Sequence, residues 1–205
     1  MKILALELST VRGGLAWLDG DVTLAREWPN DRKNSAAFFE NLEQVTKKFG
    51  APDTIIVGLG PGSYAGTRIA ISAAIGLQIS SGAHLIGSPS ICAIESAEAN
   101  YCVVGDARRR LFFFARISRN ELTEGPDLFS EEELKSKLAS VGNDTPVFCS
   151  ESLSQFSEAT VRYPSVQLLA RLAQDPKRKF SLPPIEPMYL REPYLTKPKT
   201  VALGT

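Results

Sequence analysis

Hydrophobic positions in this chain recur with two periods, and the switches between them mark its elements. Lys2 to Leu8 sets Ile3, Ala5 and Glu7 on one side against Leu4, Leu6 and Leu8 on the other, which predicts a mostly buried strand carrying one acid. Leu15-Ala16-Trp17-Leu18 predicts a second strand and Val22 to Trp28 a third, with Asp19-Gly20 as the hairpin signal between them. The period then lengthens. Phe38, Leu42, Val45 and Phe49 recur on one helical face, with Ser35 placed to cap the helix and Gly50 and Pro52 to stop it. Thr54-Ile55-Ile56-Val57 is a β-branched run that reads as a buried strand. Gly58 to Gly66 holds four glycines and a proline, and after Gly66 the pattern turns helical to about Ser81. His84 to Gly87 predicts a short strand, and Ser88-Pro89-Ser90 the start of a helix reaching about Ala99. The order is βββαβαβα.

Near Asn100 the pattern restarts. Tyr101 to Gly105 and Arg110 to Ile117 predict strands, and Leu122 a third. Ser130 and Glu133 form a capping box, with Phe129 and Leu134 at the staple positions around it, so a helix is expected from Glu131 to Ala139. Pro146 to Cys149 predicts a strand, Ser152 to Glu158 a short helix, and Ser165 to Gln174 a helix ended by Pro176. The second half is a shortened copy of the first. The expected organisation is two lobes, 1–100 and 101–205, each a mixed sheet with flanking helices. A proline-rich tail from Phe180 is free to return to the first lobe.

One helix breaks the amphipathic rule. Between Thr54 and Ile94 the only charged residue is Arg68, and apolar residues spread around the whole wheel from Ile69 to Ile79. A surface helix shows one apolar stripe and a polar back. This one is too short and too interrupted, by Ser72, Gly76 and Gln78, to cross a membrane. Ala70, Ala73, Ala74 and Gly76 would let a second helix approach closely. A partner covering the outer face is the expected solution.

Composition narrows the partners. The 205 residues carry 23 basic and 23 acidic side chains, a net charge of zero, which argues against a surface wholly dedicated to nucleic acid but leaves a local patch open. Three cysteines, Cys92, Cys102 and Cys149, have no metal-binding spacing and read as buried free thiols. Met1 to Leu4 runs straight into a strand with no signal-peptide pattern, so the expected location is cytoplasmic.

Candidate chemistry is sparse. The glycine loop follows a strand and precedes a helix, the place where backbone amides can converge on an anion. Yet Thr67-Arg68 is not the Lys-Ser/Thr pair of a P-loop, and the glycine spacing is not that of a dinucleotide fingerprint. The alternative is a tight turn that lets strand and helix pack closely. Glu7 ends the first strand beside Ser9 and Thr10, and Asp106 ends the corresponding strand of the second half, followed by Arg108-Arg109-Arg110. Two acids so placed could orient a phosphate-bound metal, which gives the rival reading: a small ATPase or phosphotransferase using Glu7 and Asp106. The arginines could bind phosphate or a partner's acids, or form a solvated turn paired with Asp106. His84 is the only histidine, in an apolar strand, and no serine stands in a G-x-S-x-G elbow.

Specific stretches match one family. Gly60-Pro61-Gly62-Ser63-Tyr64-Ala65-Gly66-Thr67-Arg68-Ile69 resembles the GPGSFTGLRI signature of the TsaB (YeaZ) family of tRNA threonylcarbamoyladenosine biosynthesis proteins, relatives of the TsaD/Kae proteins. Ile3 to Thr10 resembles its ILAIDTST, Asp106-Ala107-Arg108-Arg109 its DARR, and Pro187-Met188-Tyr189-Leu190-Arg191 its terminal P-x-YLR. Glu7 stands where aspartate is usual, and Asn34-Ser35 where His-Ser is common. The resemblance implies an α/β, actin-like (Hsp70-like) ATPase fold in two lobes, the second reduced. It implies a non-catalytic scaffold or activator subunit in the pathway that modifies adenosine 37 of tRNA. Its expected partners are a TsaD-like catalytic subunit, a TsaE-like ATPase and, through the complex, tRNA. A homodimer is expected when the chain is alone, and no membrane. The interface expected from it uses Phe38, Leu42, Val45, Arg68, Ala70, Ala73, Ala74 and Leu77. No cofactor is required by this chain, no metal site is expected, and ATP or ADP is expected, if anywhere, at the complex interface. Glu7, Ser9, Thr10 and Asp106 are the weaker cofactor-binding candidates.

Overall fold

The computed structural model describes residues 1–20, 22–30, 35–142 and 144–191. The first lobe opens with β1 (Ile3–Glu7), β2 (Arg12–Asp19) and β3 (Val22–Pro29), continues through α1 (Ala36–Phe49), β4 (Thr54–Gly58) and α2 (Tyr64–Ser81), and ends its sheet with β5 (His84–Ser88). The sheet order is β3-β2-β1-β4-β5, antiparallel across β1, β2 and β3 and parallel across β1, β4 and β5.

The second lobe repeats this plan. It contains β6 (Asn100–Asp106), β7 (Phe112–Ser118), β8 (Glu121–Phe129), α3 (Glu131–Ala139), β9 (Val147–Cys149) and β10 (Thr160–Val161). Its order, β10-β9-β6-β7-β8, is the first sheet's order read from the other end, with the same antiparallel and parallel pairs. The capping box forms as the sequence predicts: Ser130 Oγ accepts from Glu133 N, and Glu133 Oε2 accepts from Ser130 N at 2.7 Å.

Three expectations are corrected. The helix expected from Ser90 to Ala99 is a single 3-10 turn, Ser90–Ala93. Ala93 joins a first-lobe core cluster, whereas Ile91, Cys92 and Ile94 join a second-lobe one, so the run is apolar because it threads between two cores, without helical period. The helix expected over Ser152–Glu158 is a pair of turns closed by Phe156 N to Leu153 O and Ala159 N to Phe156 O, since so short a segment does not repay helix nucleation. The lobe boundary also moves. The last helix, α4 (Val166–Leu172), packs Val166, Leu169, Ala170 and Leu172 against Ile3, Ala5, Ala16 and Ile56 of the first sheet.

That placement explains why β1 and β4 are apolar on both faces. One face carries α1 and α2, through Phe38, Leu42, Val45, Ala70, Ile71 and Ala74 against Leu4, Leu6, Leu15, Trp17, Ile55 and Val57. The other face carries α4. A sheet covered on both sides has no polar face to show.

Beyond α4 the tail returns to the first lobe. Ser181 and Gly87 exchange two backbone bonds of 2.9 Å at the edge of β5. Ile185 is buried in the first core, and Met188 N donates to Leu59 O at 2.8 Å. Among the described residues, no helix is long and apolar enough to cross a membrane.

Candidate functional site: the cleft between the lobes and the face of α2

The ends of β1, β4 and β6 point to one place. The β1–β2 turn, the glycine loop, the β6–β7 turn and the returning tail enclose a cleft of 510 Å³. Ser9, Thr10, Ser63 and Thr67 line it from the first lobe, Asp106, Arg108 and Glu151 from the second, and Met188, Tyr189 and Arg191 from the tail.

Glu7 does not reach this cleft. Its carboxylate lies beneath the glycine loop, 1% exposed, with Oε1 accepting from Ser9 N at 2.6 Å and Oε2 buried without a hydrogen-bond partner. Burial raises its pKa, while the neighbouring Ser9 and Ser90 act the other way. A buried acid so placed favours the protonated form. Asp106 is engaged as well: Oδ1 accepts from Arg108 N at 2.6 Å and Oδ2 pairs with Arg108 Nη1 at 2.8 Å. Glu7 and Asp106, the two acids of the rival reading, are thus not brought together on the cleft wall.

The glycine loop is built for packing. A Cβ at Gly58 would lie 1.8 Å from Glu7 Oε2, one at Gly62 2.1 Å from Ser9 O, and one at Gly66 2.1 Å from Leu8 O. These glycines let the loop and the start of α2 sit directly on the end of β1. Several loop amides already have acceptors. Leu59 N donates to Ser88 O, Gly60 N to Ser90 Oγ, Ser63 N to Ser9 O and Gly66 N to Ser63 Oγ. These bonds and the close glycine contacts fit the tight-turn reading of the loop. Among the described residues, no group of three or more His, Cys, Asp and Glu side chains is placed to hold a metal ion.

The remaining candidates fall out simply. His84 is exposed at the start of β5. Cys92, Cys102 and Cys149 are buried free thiols, and burial pushes the Cys92 thiol up to about 12. Arg108, Arg109 and Arg110 all adopt positive φ, at 67°, 54° and 60°. Asn34 lies outside the described residues.

Helix α2 divides the expected interface residues. Phe38, Leu42, Val45, Ala70 and Ala74 are buried in the first lobe's own core, and Ala73 and Leu77 pack half-buried against it. Only Arg68 points fully outward. The expectation that the inward residues meet a partner is thus corrected, because they are needed to seat α1 and α2 on the sheet. The outward stripe is Ala65, Arg68, Ser72, Ile75, Gly76 and Ile79. Ile79 is 79% exposed and Ile75 38%, and Phe39 on α1 is 49% exposed beside a shallow groove lined also by Glu40, Glu43 and Leu77. The sequence carried this signal in the missing charged back of α2; what it did not carry was the phase of the helix on the sheet. It marked Tyr189 only through the terminal P-x-YLR resemblance and not through its contact with Tyr64, whose ring centroid lies 5.5 Å away at a tilt of 34°.

No family model matches the sequence, and no curated protein is significantly similar to it. Solved structures are more informative. YeaZ from Pseudomonas aeruginosa superposes with a TM-score of 0.71 over 92% of this chain and 99% of its own, at 18% identity. The fold is that of YeaZ. An uncharacterised protein with similarity to peptidase YeaZ, also from Pseudomonas aeruginosa, superposes with a TM-score of 0.73 at 20% identity, covering 93% of this chain and 99% of its own. The YeaZ fold thus accounts for both lobes, and the repeated sheet order gives the two-lobed actin-like arrangement expected from the sequence.

Proposed function

We propose that this chain is a TsaB-type, non-catalytic scaffold subunit for tRNA N6-threonylcarbamoyladenosine synthesis, which pairs with a TsaD-like catalytic subunit. The observation that carries the reading is the outer face of α2 beyond Arg68, uncharged, where Ile75 and Ile79 stand in solvent, with Phe39 of α1 also exposed. Isolated apolar side chains on a surface need no explanation, but a helix with no charged residue after Arg68 does. An equivalent helix pair on the partner would close a four-helix seam over this stripe, and Gly76 would allow close approach. In the partner's absence a second copy of the chain uses the same face. The burial of Glu7 away from the cleft supports a role without nucleotide chemistry of its own.

The test uses the outward residues. Ile75→Glu with Ile79→Glu should keep the monomer's thermal midpoint while removing co-elution with the TsaD-like subunit in size exclusion with light scattering. The same variant should lower threonylcarbamoyl modification of adenosine 37 in cells. Unchanged pairing would defeat the interface, and ATP turnover by the isolated chain that Glu7→Gln abolishes would defeat the non-catalytic role.

A further inference from the structure

The β6–β7 turn holds three consecutive arginines in left-handed backbone, a conformation that costs about 1–2 kcal/mol per non-glycine residue. Strain of this kind collects at functional positions. The turn itself is well tied: Ala107 N donates to Leu111 O at 2.9 Å, and Leu111 N to Arg108 O at 3.1 Å. Its effect is to hold the arginines out from the mouth of the cleft, where residues 108 to 110 are exposed.

These arginines continue into a line of contacts along the rim. Arg191 Nη2 donates to Arg108 O at 2.9 Å. Two residues before Arg191, the Tyr189 ring lies against Tyr64, itself 54% exposed. The Arg68 guanidinium sits 5.1 Å over the Tyr64 ring and also donates to its hydroxyl. Asp106 is neutralised by Arg108, and Glu151 is a further acid lining the cleft. The rim therefore alternates cationic groups with two partly exposed aromatic plates.

We infer that this rim, Arg68, Tyr64, Tyr189, Arg191, Arg108 and Arg110, is a contact surface for single-stranded RNA. Guanidinium groups meet phosphates while unpaired bases stack on the tyrosines, the combination used by proteins that hold single strands. With a net charge of zero, the chain needs a local cationic patch of this kind for such binding. The choice of RNA rests on the proposed function, and it adds that the chain touches the RNA directly. Tyr64 and Arg68 lie in the first turns of α2, where the partner face meets the cleft, so the strand would run along the seam between subunits.

Fluorescence anisotropy of the isolated chain with a labelled RNA hairpin bearing an unpaired loop tests this. Four phosphate contacts predict a salt dependence of about −3 in log K against log salt concentration, and Arg68→Ala with Arg110→Ala should flatten it by about 1.4. Tyr64→Leu and Tyr189→Leu should each weaken binding about tenfold without altering that slope. Arg171→Ala, remote from the rim on α4, should change neither. An unaltered slope in the double arginine variant, equal affinity for duplex DNA of the same length, equal competition by an acidic peptide, or no binding at low salt would each overturn the inference. Absence of RNA binding with intact partner pairing would remove this surface and leave the scaffold reading, whereas RNA binding without pairing would do the reverse.

Discussion

Glu7 shows how an identical residue can be read in two ways until its surroundings are known. An acid at the end of a strand suggests chemistry; an acid under a glycine loop, with Oε2 buried and unpartnered, is a structural carboxyl. Its pKa is raised from 4.5 by burial. The folded state then holds the proton to higher pH than the unfolded chain does. The stability that this group contributes is fully present below about pH 4.5 and is lost as pH rises through the folded pKa. In that window, chemical unfolding should show the free energy of the wild type falling by up to about 1.4 kcal/mol per pH unit relative to Glu7→Gln. The glutamine variant, which keeps an acceptor for Ser9 N, should be the more stable protein near pH 7. A flat difference across pH would mean that the fold leaves the pKa of this carboxyl unshifted. The acid's existence was legible in the sequence, but its orientation was not, because that depends on a cross-strand neighbour 51 residues away, Gly58, whose missing side chain makes the space.

At the scale of an element, α2 carries two kinds of glycine that the sequence writes with the same letter. Gly66 sits where a Cβ would meet Leu8 O at 2.1 Å, whereas Gly76 has nothing within 4 Å. Gly66→Ala should therefore destabilise the fold by about 1–3 kcal/mol as the helix is forced off β1. Gly76→Ala should stabilise the isolated chain by up to about 1 kcal/mol, since alanine gains helix propensity without a clash. Thermal melts of the two variants check this directly. If the outer stripe is the partner face, Gly76→Ala should also weaken pairing while raising stability, a combination that a passive surface would not give. Elements with a clear period or a capping box were legible: α1 from Phe38, Leu42 and Val45, although Ser35 makes no side-chain capping bond, and α3 from its capping box. The 3-10 turn at Ser90 was not, since four consecutive apolar residues look the same whether they form a helix or pass between two cores.

For the whole molecule, the tail fastens the lobes to one another at two points. At the front it crosses the cleft, with Arg191 on the Arg108 carbonyl. At the back, Arg178 donates to the carbonyls of Asn120 at 2.7 Å and Arg119 at 3.0 Å, on the β7–β8 turn. Both turn residues have positive φ, so their carbonyls are presented by a conformation the clasp helps to hold. The Arg178 side chain is largely buried, and Glu121 lies 3.8 Å from its guanidinium. The segment bearing it follows α4, which is packed on the first sheet, so the contact ties first-lobe structure to the second lobe. Such bonds to a charged donor contribute about 1.5–3 kcal/mol, and removing the donor leaves two carbonyls to find water. Arg178→Ala should lower global stability by an amount in that range, and it should raise amide exchange at the β7–β8 turn more than in β1 or β4. Ile185→Ala, which opens a cavity in the first core, should cost about 2–5 kcal/mol yet spare the β7–β8 turn at matched stability. If the two variants gave the same exchange pattern, the tail would be one more layer of core. If they differ as expected, the two lobes are clasped by their own chain, which would give the proposed scaffold the rigidity to hold α2 at a fixed angle.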